Sequence, residues 1–270
     1  QSQRSGLLGV IVPDVSNPFF AAIAREVTLQ AEANGLSVLL ADSRETTSIE
    51  VKLLSELRSR RVEGLVVCPV GKESLHLRQA DEAGTPIVLI DRCFAESSLT
   101  SVHSDNTRGA KQAIKQLLAH GHSVIGCLQG LPGTLPNEQR LSTIRDEISK
   151  AGLVFDDVLI AGNNFTELSG YESAKSLLAV RPDITAFFAF SSPNAFGALR
   201  AAEEAGRNVP SDLSLVTFDD SPFADFMRVP LTTISQNVAR LGKTAAEVIL
   251  KQLISGKKPR KRTYTIPITL

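Results

Sequence analysis

The chain has 270 residues, 43% hydrophobic and 21% charged. That is the balance of a globular protein long enough to form two lobes, not of a disordered or membrane-spanning chain. Lys plus Arg and Asp plus Glu both total 29, which argues against a domain that holds DNA by itself through a basic excess. Three widely spaced cysteines, Cys68, Cys93 and Cys127, form no CxxC pair. This argues against a disulfide framework and for a reducing compartment, with Cys68 and Cys127, which lie in apolar runs, as buried thiols.

Short apolar runs alternate with amphipathic stretches along the chain. "LLGVIV" (7–12) is followed by a helical pattern that ends at Asn34-Gly35, and "LSVLLA" (36–41) by one at 47–60. "GLVVC" (64–68) leads to a helix at 73–83 and then to "PIVLI" (86–90). After "SDN" (104–106) the cycle restarts with helix 107–120, strand 123–128, helix 136–151, strand 157–161 and helix 168–180. It continues with strand 185–190, helix 194–206, strand 213–218, "LTTIS" (231–235) and a helix through about Ser255. The basic run "KKPRKR" (257–262) reads as a solvated loop before a last strand. Strands that are apolar throughout, each followed by a helix, indicate parallel sheets covered on both faces. Some ten strands exceed one comfortable open sheet, so the expected fold is α/β with two doubly wound parallel-sheet lobes.

In such sheets ligands sit beyond the carboxyl ends of the strands, on the strand-to-helix loops. The loop after the first strand carries Asn17 and leads through Pro18 into Phe19 and Phe20. Adjacent helical residues point about 100° apart, so a single amphipathic stripe is not expected to bury both rings. Asp91 and Arg92 follow the strand ending at Ile90, Arg140 lies near the start of a helix, and Phe165 sits in "NNFTE". Asp219 and Asp220 follow Phe218, and Gln236 lies beyond "LTTIS". Taken singly, each has a plain structural explanation: an ion pair, a packed ring, a polar turn. Taken together, aromatic faces, carboxylates, a guanidinium and amides on one rim suit a polyhydroxylated ligand, whose C–H faces stack on rings and whose hydroxyls donate and accept.

No G-x-G-x-x-G follows the first strand, and no G-x-x-x-x-G-K-[ST] or G-x-S-x-G occurs, so neither a nucleotide cofactor nor catalysis is expected. His120-Gly121-His122 falls at a helix end with no Cys or acid at ligand spacing, and reads as a cap rather than a metal site.

"GVIVPDVSNPFFAAI", "EGLVVCP", "PIVLIDR", "SVHSDNTRGA", "HGHSVIG", "ESAKSLLA", "NVPSDLSLVTFDD" and "VPLTTISQ" together resemble the effector-binding core of LacI-family transcriptional regulators, a periplasmic-binding-protein type I fold. The resemblance runs over essentially the whole chain. It implies two lobes joined by three crossovers, one of residues 1–104 plus 237–265 and the other of 105–236 plus 266–270. By similarity to ribose-binding protein it implies a sugar held between the lobes by Asn17, Phe19, Phe20, Asp91, Arg92, Arg140, Phe165, Asp219 and Gln236. Where the family pattern reads Asn-Asp after "AFFAF", this chain has Ser191-Ser192, so Ser191 replaces the usual sugar-contacting asparagine.

The family further implies a small-molecule effector, a monosaccharide, and a cytoplasmic homodimer with no cofactor or membrane partner. Operator DNA would be bound through an N-terminal helix-turn-helix ahead of Gln1. The alternative reading is the periplasmic sugar-binding component of an ABC transporter, with a signal peptide removed before Gln1; the unpaired cysteines count against it.

Overall fold

The computed structural model describes residues 5–71, 75–94, 97–223, 226–255 and 261–269. Residues 1–4, and 257–260 of the basic run, lie outside that description. The chain divides into two compact units, residues 1–104 with 237–267 and residues 105–236 with 268–270.

The first unit contains β1 (Leu7–Val12), α1 (Pro18–Glu32), β2 (Ser37–Asp42), α2 (Thr47–Ser59), β3 (Gly64–Val67), α3 (Leu75–Glu82), β4 (Ile87–Ile90) and β5 (Thr100–Ser104). The second contains α4 (Asn106–Ala119), β6 (Ile125–Leu128), α5 (Leu135–Lys150), β7 (Ile160–Ala161), α6 (Glu167–Val180), β8 (Ala186–Ala189), α7 (Ser192–Glu204), β9 (Ser214–Phe218) and β10 (Thr232–Gln236). The chain then returns α8 (Val238–Ser255) and β11 (Thr263–Ile266) to the first unit and β12 (Ile268–Thr269) to the second. Ile266 packs in the first unit's core, so the third passage falls after Pro267.

The first sheet has the order β11-β5-β4-β3-β1-β2 and is parallel throughout. The second has the order β12-β10-β9-β8-β6-β7, parallel except for the β10–β12 pair. In each, strand order reverses at one place, between β1 and β3 and between β6 and β8, where doubly wound sheets open their carboxyl-end crevice. The central strands β3, β4, β6 and β8 are buried along their whole length, as expected where helices cover both faces.

Helix starts follow local capping chemistry. The Asn17 side chain accepts from the Phe19 N–H ahead of Pro18 in the first turn. Asp105, Thr166 and Ser191 cap α4, α6 and α7 in the same manner. α6 and α7 cross with their backbones in close approach: a Cβ on Gly170 would lie 2.2 Å from the Asn194 carbonyl, and one on Gly197 2.1 Å from that of Glu167. In the first unit, α8 contributes Leu241, Ala245, Ala246, Ile249 and Leu250 to the core around β1, β3 and β4. Each of the large side chains stabilises by about 2 kcal/mol.

Two elements differ from the sequence reading. Residues 157–159 form a 3-10 turn, leaving only Ile160–Ala161 as strand. The Asp156 side chain accepts from the Val158 N–H, and the Leu159 N–H bonds Asp156 O, which closes the turn. β5 ("TSVHS") has no counterpart in the reading because four of its five residues are polar. It is buried nonetheless, paired on both sides by β4 and β11.

Candidate functional site

Each unit presents its own constellation at the carboxyl ends of its strands. In the first, Asn17 is half-buried and its side chain is engaged in capping α1. Phe19 and Phe20 are both buried, at 9% and 4% exposure, and meet edge to face at 5.2 Å. Both rings are buried although a single amphipathic stripe is not expected to cover them. α1 packs against the sheet on one side and α8 on another, so a wider arc of its surface is covered than a single stripe.

The end of β4 carries the charged pair. Asp91 is buried with its backbone in the left-handed region (φ 61), and its N–H bonds Val102 O on β5. Arg92 is 1% exposed, its Nη1 and Nη2 donating to the two carboxylate oxygens of Glu45 at 2.6 and 2.7 Å. The guanidinium lies over the Phe20 ring at 5.4 Å. Burial, the largest single influence, lowers the Arg92 pKa. The hydrogen bonds and charge of Glu45, with Cys68 and Asp91 adding to them, outweigh it and hold the group above its ordinary value. Glu45 comes from the loop after β2, where Arg44 and Glu45 are both left-handed (φ 51 and 52). The Arg44 N–H to Asp42 Oδ1 and the Glu45 N–H to Pro13 O fix that geometry. Consecutive non-glycine residues there cost about 1–2 kcal/mol each, and such strain concentrates at functional loops.

The second unit repeats the theme. Asp219, at the end of β9, is buried and left-handed (φ 72), and its N–H bonds Ile234 O on β10. Its Oδ1 accepts from Gln236 Nε2 at 2.5 Å. Gln236 is 7% exposed, and its Oε1 has no hydrogen-bond partner among the described residues. The neighbouring Asp220 is exposed and engaged by the Thr233 and Ser235 hydroxyls, so of the two acids Asp219 is the one held inward.

Arg140 is 3% exposed and stacked 3.6 Å above the Phe218 ring. Nε and Nη2 donate to Asn106 Oδ1 at 3.0 and 2.8 Å, and Nη1 to Phe190 O at 2.5 Å. Phe165 is half-buried over Gly130, where an added Cβ would lie 1.9 Å from the ring. Its loop is held by Asn194, whose Nδ2 donates to Asn164 O and Thr166 O. Ser191 caps α7 and its hydroxyl donates to Asn194 Oδ1. The serine thus supports the loop that carries Phe165 through Asn194.

The structure therefore gathers Asn17, Phe19, Phe20, Asp91 and Arg92 on one unit. It gathers Arg140, Phe165, Ser191, Asp219 and Gln236 on the other. Glu45, Asn106 and Asn194 are residues that sequence reasoning missed. The only trace of Asn106 was its place in "SDN", where the element rhythm restarts.

All three cysteines are buried and unpaired. Burial pushes the Cys93 and Cys127 thiols up to about 12 and raises that of Cys68 well above its ordinary value. His120 caps α4, its Nδ1 within 2.8 Å of Gln116 O, and His122 meets the Thr185 hydroxyl. Among the described residues no cluster of His, Cys, Asp and Glu is arranged to hold a metal ion. No helix among them is long and apolar enough to cross a membrane.

Residues 114–270 match the family model of the periplasmic binding protein-like domain. Over 269 residues the chain is 30% identical to the ribose operon repressor of Halalkalibacterium halodurans, covering 99% of this chain and 78% of that protein. The chain belongs to the LacI family of transcriptional regulators. A crystal structure assigned as a ribose operon repressor from Burkholderia thailandensis superposes with a TM-score of 0.88 at 30% identity, covering 98% of both chains. The cellobiose complex of the transcriptional regulator CelR superposes at 0.90 with 26% identity, covering 99% of this chain and 83% of that one. The chain is thus a LacI-family effector domain, and its relatives are transcriptional repressors rather than enzymes. They favour the regulator reading over the transport one.

Proposed function

We propose that the chain senses a ribose-like monosaccharide through the rim residues at the carboxyl ends of its strands, and relays its binding to operator DNA. The relay would act through an N-terminal helix-turn-helix segment outside these residues, in a cytoplasmic homodimer. The observation that carries this reading is Gln236. Among the described residues nothing donates to its buried Oε1, while its Nε2 is committed to Asp219. A buried acceptor in this state costs about 1–3 kcal/mol unless something donates to it. A ligand hydroxyl would do so, and could donate to Asp219 as well.

The buried arginines stacked on Phe20 and Phe218 and the ring of Phe165 complete an inventory suited to sugar hydroxyls and C–H faces. The ribose operon repressors among the relatives support ribose over other sugars.

Thermal unfolding against pentoses, hexoses and purines tests the reading. A sugar at 100 times its dissociation constant adds about 2.7 kcal/mol. With an unfolding entropy of about 2.1 cal/mol/K per residue, that raises the midpoint by about 5 °C. Ribose or a close pentose should give this shift, and Gln236→Ala should abolish most of it. A shift with purines alone would overturn the assignment.

A further inference from the structure

The first unit's rim is dominated by carboxylates. Arg92 is its buried cation, and both of its terminal nitrogens already donate to Glu45. Asp91 stands beside it, buried and fixed by its left-handed backbone. A phosphate ester arriving at this rim would meet a guanidinium whose charge is already balanced, with a second carboxylate beside it. Like charges brought together where water is largely excluded oppose binding. A neutral polyol meets no such penalty and gains a carboxylate acceptor for its hydroxyls.

The position of Glu45 depends on two consecutive left-handed residues tied to Asp42 and Pro13. A loop relaxed to ordinary backbone would carry the side chain elsewhere. From this geometry we infer that Glu45 is the specificity-determining residue of the sugar site: by occupying both terminal nitrogens of Arg92 it sets the guanidinium's orientation and makes the protein select neutral over phosphorylated sugars. The inference rests on the sugar-sensing reading and deepens it to a substrate class. Glu45 is a positioning residue, acting on the ligand through Arg92.

The test is calorimetric titration of the full chain with D-ribose and with D-ribose 5-phosphate, for the wild type, Glu45→Gln and Glu45→Asp. If another neutral monosaccharide gives the thermal shift, that sugar and its phosphate ester replace the pair. The wild type should bind the neutral sugar at least 100-fold more tightly. Glu45→Gln should narrow that ratio by tenfold or more, weakening the neutral sugar and improving the phosphate ester. Glu45→Asp, which keeps the charge but is one methylene shorter, should narrow the ratio less than Glu45→Gln. A purely structural role would weaken both ligands together and leave the ratio unchanged, and that result overturns the inference. Should Glu45→Gln fail to fold, the wild-type ratio decides, because equal or tighter binding of the phosphate ester sinks the inference while leaving the sugar reading intact. If the wild type binds neither a monosaccharide nor its phosphate, the sugar reading itself fails and the inference falls with it.

Discussion

Replacing Asn106 with alanine removes the acceptor that receives both Nε and Nη2 of Arg140. The Asn106 amide also donates to Gln139 Oε1 at 3.2 Å, a bond lost at the same time. Hydrogen bonds to a buried charged group contribute about 1.5–3 kcal/mol each, and stripping a partner from a buried ion costs about 3–5 kcal/mol. Arg140 keeps the Phe190 carbonyl and its stack on Phe218, so the lower end applies, about 3 kcal/mol. With an unfolding entropy of about 2.1 cal/mol/K per residue, the midpoint falls by about 5 °C if the chain melts as one. It falls by about 10 °C if the second unit, half the chain, melts alone. Differential scanning calorimetry distinguishes the two, since separate melting gives two heat-absorption peaks of which only one moves. Asn106→Asp keeps an acceptor and adds a charge partner but also loses the bond to Gln139, and should fall by less than the alanine variant. An Asn106→Ala midpoint within 1 °C of the wild type would refute the claim that this residue holds the arginine.

Two further outcomes follow from the geometry. Gly130→Ala places a methyl 1.9–2.5 Å from three Phe165 ring atoms; the ring must swing away at a cost of about 1–3 kcal/mol. Sugar affinity should drop roughly tenfold, read by titration, and unchanged affinity would remove Phe165 from the site. The thiols of Cys93 and Cys127, pushed from the ordinary 9.0 to about 12, hold about a thousandfold less thiolate near neutral pH than an exposed cysteine. Native protein should react with a thiol reagent at least that much more slowly, faster by about tenfold per unit of rising pH, and unfolding in urea should release all three cysteines. A rapidly labelled native thiol would contradict their burial.

The apolar runs and their helices were legible because a buried parallel strand leaves a continuous hydrophobic string, as in "GLVV" and "AFFA". β5 was illegible for the converse reason. Its buried Thr100, Ser101, His103 and Ser104 look like loop residues until both neighbouring strands are in place. The rim residues at strand ends could be named because chain order alone puts them there. The fate of their side chains could not. Glu45 reaches Arg92 across 47 residues and Asn106 reaches Arg140 across 34, distances over which local pattern is silent. The left-handed turns at Asp91 and Asp219 are imposed by hydrogen bonds from the next strand, which no local preference of aspartate would dictate. Phe19 and Phe20 show the limit of helical-wheel reasoning, because a helix packed on two sides buries neighbours that one stripe would leave apart.

The division of the chain also orders events during synthesis. The second unit runs without interruption from Asp105 to Gln236 and lacks only the two-residue β12 when that stretch has left the ribosome. Residues 5–104 have by then emerged, yet their sheet still waits for α8. Until Leu241, Ala245, Ala246 and Ile249 arrive, the apolar flank of α1 and the sheet surface over Val66, Val88 and Ile90 stand open to water. The first unit therefore buries its core only after most of the second unit has emerged. Through most of translation it is the nascent chain's aggregation-prone surface, the segment that a chaperone would need to shield.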